Sequence, residues 1–234
     1  FAHNADVSNY QQVQDMVNTT MDSWGRIDVL INNAGILRDK SFAKMELEDF
    51  KKVIDVHLMG SVHCTKAVWG IMRAQNYGRI VMTASSTGLY GNFGQSNYGA
   101  AKMALVGLMN TLALEGAKYN IKVNTIAPAA YTQMTEGVIQ DENSKAMLTP
   151  ESVTAGVLVL CQTDAPNKTI LCAGAGSFST STVVDTAGVH LDDENQTPEG
   201  VMKKWDQIAD LSSASPEESG FLHIDKLVRL AGKP

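Results

Sequence analysis

The chain has 234 residues, enough for one α/β domain with a full core. With 19 Lys and Arg against 25 Asp and Glu the net charge is −6, which argues against a broad nucleic-acid-binding surface. Its 3 cysteines form no Cys-x-x-Cys and fit core thiols in a reducing compartment, and the longest apolar run, near 157–160, is far too short to span a bilayer.

In chain order, residues 1–7 read as the end of a strand. Ser8 is a good N-cap for a helix from 9 to about 24, which Gly25 stops. Residues 27–31 are a buried strand ending in Asn32-Asn33-Ala34-Gly35. A long helical stretch follows over 46–73, with Phe50, Val53, Ile54, Leu58, Val62, Ala67 and Val68 as its apolar positions. The run 79–83 predicts a strand, 95–118 a helix, and 121–126 another strand, ended by Pro128. Residues 129–148 are polar and irregular. Pro150 is placed to start a helix over 151–161. Residues 169–173 read as the last strand, before a turn at Gly174 and Gly176. Thr197-Pro198-Glu199 begins a short helix through Trp205 and Ile208, 212–220 is linker-like, and 221–230 is a short terminal helix. The expected division is a core over 1–177, an extension of the same domain over 178–211, and a linker with terminal segment over 212–234. Strands alternating with helices predict an α/β fold with a doubly wound parallel sheet.

The chemistry concentrates between Ser85 and Lys102. Ser85 ends a buried strand, the end at which open α/β sheets bind ligands. A glycine-rich loop follows, then a helix carrying Tyr98 and Lys102 four positions apart, on one face. A lysine one turn from a phenol favours the phenolate, so the Tyr98 pKa is expected to fall from its usual value near 10. A tyrosine so tuned exchanges protons near neutral pH. His3, His63, His190 and His223 lack metal-ligand spacing and read as structural, and no metal site is expected.

With Ser85, Tyr98 and Lys102 at this spacing, the chain resembles the short-chain dehydrogenase/reductase family. Asn32-Asn33-Ala34-Gly35 after a strand is that family's second signature. The resemblance implies a Rossmann-like fold with catalytic Ser85, Tyr98 and Lys102. It implies a nicotinamide cofactor, NAD with NADP left open, bound by Asp6, Val7, Asn32, Ala34, Gly35, Tyr98, Lys102, Pro128 and Thr132. Asn32 to Gly35 would line the adenosine side and steady the central strand. Residues 129–148 would form a substrate lid, and the helices over 46–73 and 95–118 a homodimer interface. Residues 1–7 match the family's third strand, so its first two strands and its phosphate-binding glycine turn are absent from these residues. Unpaired strand groups would each cost about 1–3 kcal/mol if buried, so a chain beginning at Phe1 is expected to be poorly stable. The resemblance implies roughly 60–75 further N-terminal residues in the natural protein.

Closer likeness lies in residues 32–43, 56–61, 75–80 and 90–95, and in the tail with Thr197-Pro198-Glu199, Trp205 and Ser212-Ser213-Ala214-Ser215. These resemble the (3R)-hydroxyacyl-CoA dehydrogenase units of type 2 peroxisomal multifunctional enzymes of fatty-acid β-oxidation. That implies an acyl-CoA thioester substrate and, in a eukaryote, the peroxisomal matrix; mitochondrial or cytoplasmic placement stays open. Two departures from the wider family stand out. His57 occupies a position where most members carry an Asn that holds a relay water, and it is either a relay residue or a helix residue packed on the site. Pro128-Ala129-Ala130 replaces the usual Pro-Gly, so the local backbone path is expected to differ. The alternatives are a 3-oxoacyl-thioester reductase using NADPH, or a non-catalytic structural subunit that keeps the fold.

Overall fold

The computed structural model describes residues 1–136 and 140–232. It divides the chain into two compact units, 1–181 and 182–234.

The first unit is built on a five-stranded sheet in sequential order, β1 (Val29–Asn32), β2 (Gly78–Thr83), β3 (Ile121–Ala129), β4 (Ile170–Gly174) and β5 (Ser177–Ser181). The first four strands run parallel and β5 pairs antiparallel to β4. Alternation of side chains sends Ile80 and Met82 to one face and Val81 to the other. On the first face they meet Val68 and Met72 of α3 (Gly60–Gln75), and Leu105, Val106 and Met109 of α5 (Ser96–Gly116). On the second they meet Val153 and Leu160 of α7 (Glu151–Cys161). Helices on both faces make the sheet doubly wound, as the alternation of elements predicts.

Residues 1–7 form no strand. A strand exists only by pairing, and here the segment is held by side chains instead. Asp6 accepts from the Ser8 backbone and hydroxyl, and His63 Nδ1 bonds the Val7 carbonyl at 2.9 Å. With Ser8 taken by Asp6, the cap of α1 (Tyr10–Trp24) passes to Asn9, whose side chain accepts from Gln12 N. Gly25 ends α1 in the left-handed conformation.

The long helix over 46–73 is two helices, α2 (Leu47–Ile54) and α3, joined by a π-helical turn at Asp55–Met59. Pro128 does not end β3, which continues to Ala129. The Ile126 carbonyl bonds Ala84 on the β2 side and Thr125 N–H bonds Thr169 on the β4 side. Pro128, two residues after the Thr83–Ile126 pair that ends β2's ladder, therefore turns its missing N–H to an edge that needs none. Ala129 and Ala130 avoid positive φ, and Ala129 simply continues the extended backbone of β3. A last strand at 169–173 is corrected too: Ala175 and Gly176, both at positive φ, make a two-residue hairpin into β5. The segment 129–148, where a lid is expected, includes α6 (Glu142–Met147), and its residues 137–139 lie outside those described.

In the second unit, Thr197 caps α8 (Pro198–Lys203) through Gly200 N, α9 spans Trp205–Ile208, and Ser219 caps α10 (Gly220–Leu230). The linker-like residues are partly ordered by a bridge between Asp185 and Ser215. No helix among the described residues is long and apolar enough to cross a membrane.

Candidate active site

Ser85 follows β2 and begins α4 (Ser86–Tyr90). Its backbone is extended at φ −165°, and its Oγ accepts from Thr87 N at 3.1 Å. That bond leaves the hydroxyl proton free to donate. Tyr98 and Lys102 project from the first two turns of α5. Helix α4 crosses α5 so closely that a Cβ on Gly88 would lie 2.8 Å from Lys102 Cβ. This contact needs glycine and fixes Ser85's segment against the helix that carries the tyrosine.

Lys102 is buried, and its Nζ donates to the Thr83 carbonyl at 2.5 Å. It stands 5.4 Å from the centre of the Tyr98 ring. Burial pulls the Lys102 pKa down to about 8. Tyr98 departs from expectation. Burial pushes its phenol up, a hydrogen bond with Ser85 draws it back, and the Asp39 carboxylate pushes it up again. The lysine is bonded to the β2 carbonyl rather than to the phenol oxygen, so the expected fall is not realised in the protein alone.

His57 lies on the π turn, which rotates it inward to 2% exposure. Its Nε2 is 2.8 Å from the Ile36 carbonyl oxygen and 3.1 Å from Ile36 N. Its ring meets the Tyr98 ring edge-on at 5.1 Å. Nδ1 is buried and has no partner. Burial, with the nearby Lys102 charge, lowers the His57 pKa to about 4, so the ring is neutral at pH 7. Gly35 belongs to this contact: a Cβ there would sit 2.3 Å from His57 Cε1.

The Asn32-Asn33 pair holds the end of β1. Asn32 Nδ2 donates to Thr65 of α3 at 3.2 Å, and Asn33 Oδ1 accepts from Thr83 of β2 at 3.1 Å. Ala34 and Gly35 follow at that strand's C-terminal end, and Pro128 lies near the end of β3. Ser85, Tyr98, Lys102, His57, Gly35 and the asparagines therefore gather at one end of the sheet. Asp6 is exposed, while Val7 packs over the start of α3, where a Cβ on Gly60 would lie 2.6 Å from Val7 Cγ2. Thr132 is exposed, and its hydroxyl is taken by a turn through Met134 N. Thr83 and Thr65 carry no mark in the sequence; a lysine held by a backbone carbonyl leaves no side-chain signal.

The donors present fit the nicotinamide-ribose half of a dinucleotide. The Lys102 ammonium carries three N–H groups and gives one to Thr83, which leaves donors for ribose hydroxyls. The unpartnered Nδ1 of His57 adds a polar atom awaiting a partner. Among the described residues, no group of three His, Cys, Asp or Glu is placed to hold a metal ion.

The chain is similar to several known proteins. The family described as short chain dehydrogenase matches residues 1–143. Peroxisomal multifunctional enzyme type 2 of Mus musculus is 47% identical over 219 residues, covering 91% of this chain and 30% of that protein. The chain therefore spans under a third of that relative's length. A short-chain type dehydrogenase/reductase of Mycobacterium tuberculosis is 42% identical over 215 residues, which cover 89% of this chain and 74% of that protein. The structure of full-length peroxisomal multifunctional enzyme type 2 from Drosophila melanogaster superposes with a TM-score of 0.82 at 35% identity, covering 98% of this chain and 40% of that one.

Proposed function

The chain belongs to the short-chain dehydrogenase family, and from that premise we propose that it oxidises a 3-hydroxyacyl-CoA with NAD as hydride acceptor. The observation that carries this reading is the convergence of Ser85, Tyr98 and a buried Lys102 at the C-terminal end of β2. The acyl-CoA class rests on the residues shared with the β-oxidation subgroup, and on a relative whose name is that of a peroxisomal multifunctional enzyme. The same relative supports the peroxisomal matrix as location in a eukaryote.

The roles follow from the geometry. Tyr98 as phenolate takes the proton of the substrate's 3-hydroxyl. Ser85, whose hydroxyl donates to the Tyr98 phenol in the protein alone, donates to the substrate oxygen as it becomes a carbonyl. Lys102, held under the Tyr98 ring by Thr83, supplies positive charge to the phenolate and donors to the ribose. His57 packs against Tyr98 as a neutral ring and offers Nδ1 to a water or ligand on the proton's way out. Asp6 and Val7 border the adenine, and Asn32, Ala34, Gly35, Pro128 and Thr132 line the remaining cofactor path. When bound, NAD would supply the hydride acceptor; the residues of this chain bind it, orient the substrate and move the proton.

The same reading includes a homodimer through the outer faces of α3 and α5. Val106 and Met109 point into the chain's own core rather than outward. The exposed large apolar residues of α5 are Met103 and Leu114, and Leu114 lines a groove with Trp69, Arg73 and Tyr119.

Titrating the full-length protein with NAD and with NADP, while following tryptophan fluorescence, tests the cofactor directly. Quenching that saturates with NAD at lower concentration is expected. Tighter binding of NADP, or no binding of either, contradicts the assignment.

A further inference from the structure

Two buried amides just before Tyr98 have no part in the roles above. Gln95 is 8% exposed and Asn97 is 0% exposed. Gln95 Nε2 donates to Asp39 Oδ2 at 2.7 Å. Its Oε1 accepts from Thr87 Oγ1 at 3.0 Å and from Asn92 Nδ2 at 3.0 Å. Asn97 Nδ2 donates to the Arg38 carbonyl at 3.0 Å, and its Oδ1 accepts from Tyr98 N at 2.7 Å.

Two of these five bonds, Gln95 to Asp39 and Asn97 to Arg38, join segments distant in sequence, and the other three hold the local turn around Tyr98. Arg38 and Asp39 lie on the loop after β1, three and four residues past Gly35. Thr87 gives its N–H to Ser85 Oγ. Tyr98 sits in the first turn of α5, whose N–H groups have no partner within the helix. The orientation of the Gln95 amide is fixed by chemistry, because a carboxylate can only accept. A neutral group that donates at one end and accepts twice at the other is required here, and among side chains of this length only glutamine supplies it.

We propose that Gln95, with Asn97, is a positioning residue that sets the spacing of Ser85 and Tyr98 and ties both to the Arg38–Asp39 loop. The inference rests on the dehydrogenase reading above. It also assigns Asp39 a role: held by Gln95, its charge stays within electrostatic reach of the phenol. The groups facing Tyr98 are then Lys102 on its own helix, Asp39 on the β1 loop, Ser85 ahead of α4, and neutral His57 on the π turn.

The test is a swap in the full-length protein. Gln95→Glu keeps the shape and both acceptor contacts but opposes two oxygens at Asp39. The kcat for 3-hydroxyacyl-CoA is expected to fall on the order of 10-fold or more, with KM changed by less than about twofold. Adding Asp39→Asn returns a donor to the pair, from residue 39 instead of residue 95, and is expected to restore most of kcat. A second readout needs neither substrate nor cofactor. The tyrosinate absorbance of Tyr98, taken as the difference from Tyr98→Phe, should titrate at higher pH in Gln95→Glu and return towards wild type in the swap. The inference is overturned if Gln95→Glu leaves both kcat and the Tyr98 titration unchanged, or if the swap restores neither. If wild type fails to turn over 3-hydroxyacyl-CoA, the functional reading falls, and the absorbance titration still decides the positioning role.

Discussion

The Lys102 ammonium donates to the Thr83 carbonyl at 2.5 Å and lies 5.4 Å from the centre of the Tyr98 ring. The lysine is thus anchored to the last residue of β2, two positions before Ser85, while its charge sits beneath the tyrosine. Its anchor is one neutral oxygen, so the charge is held in a poorly solvated place at a cost to folding.

That cost has a sign and a pH window. Folding lowers the Lys102 pKa from 10.5 to about 8, so the folded state disfavours the charged form. The penalty is complete below pH 8 and fades as pH rises towards 10.5. At one unit per 1.36 kcal/mol it amounts to about 3 kcal/mol. Lys102→Met is therefore expected to raise the melting temperature at pH 7 while abolishing turnover. The gain should shrink when melting is repeated near pH 10. A variant that melts lower than wild type at pH 7 contradicts the argument.

His57 titrates in the opposite region. Its pKa falls from 6.5 to about 4 on folding, so it charges in the unfolded chain first. Above pH 6.5 it contributes nothing, and stability is lost as pH falls from 6.5 through 4, by up to about 3 kcal/mol. His57→Asn should flatten the acid limb of a denaturant-melting series measured over that range. An unchanged acid limb would show that His57 is not buried neutral.

Gly35 and His57 form a close pair that allows no methyl group. Gly35→Ala is expected to cost about 1–3 kcal/mol through overpacking and to push His57 towards Tyr98. Cofactor affinity should fall with it. Adding His57→Ala makes room and should recover stability without recovering turnover, as thermal melting and a rate assay together can show.

Much of this arrangement is legible in the sequence, for physical reasons that differ by element. The run at 79–83 puts apolar residues on both faces, Ile80 and Met82 on one and Val81 on the other, as a strand covered by helices must. Tyr98 and Lys102 are placed by helical period alone. The π turn leaves no such mark, because its first and last residues, Asp55 and Met59, keep ordinary helical dihedrals while the hydrogen-bond register changes. Strand β5, Ser177-Phe178-Ser179-Thr180-Ser181, is an exposed edge whose polar composition resembles a loop. The Tyr98 titration could not be read from spacing, since burial and Asp39 both act through tertiary contacts. The amide network of Gln95 and Asn97 is likewise visible only once the Arg38–Asp39 loop is seen beside it.

The dimer reading makes its own demand. Leu114 is 54% exposed on α5 beside the Trp69–Tyr119 groove. Leu114→Glu should leave the fold intact and convert a dimer to a monomer in light scattering at micromolar concentration. A wild-type protein that is already monomeric there removes the proposal.

The central claim is that Tyr98 is the proton acceptor in oxidation of a 3-hydroxyacyl-CoA. The most direct test is steady-state turnover of that substrate with NAD by full-length wild type, Tyr98→Phe, Lys102→Ala and the double variant. Tyr98→Phe should lose about 10²–10⁴ in rate. The double variant should be little worse than Tyr98→Phe alone, because both residues serve one proton transfer. Near-full activity of Tyr98→Phe contradicts the account.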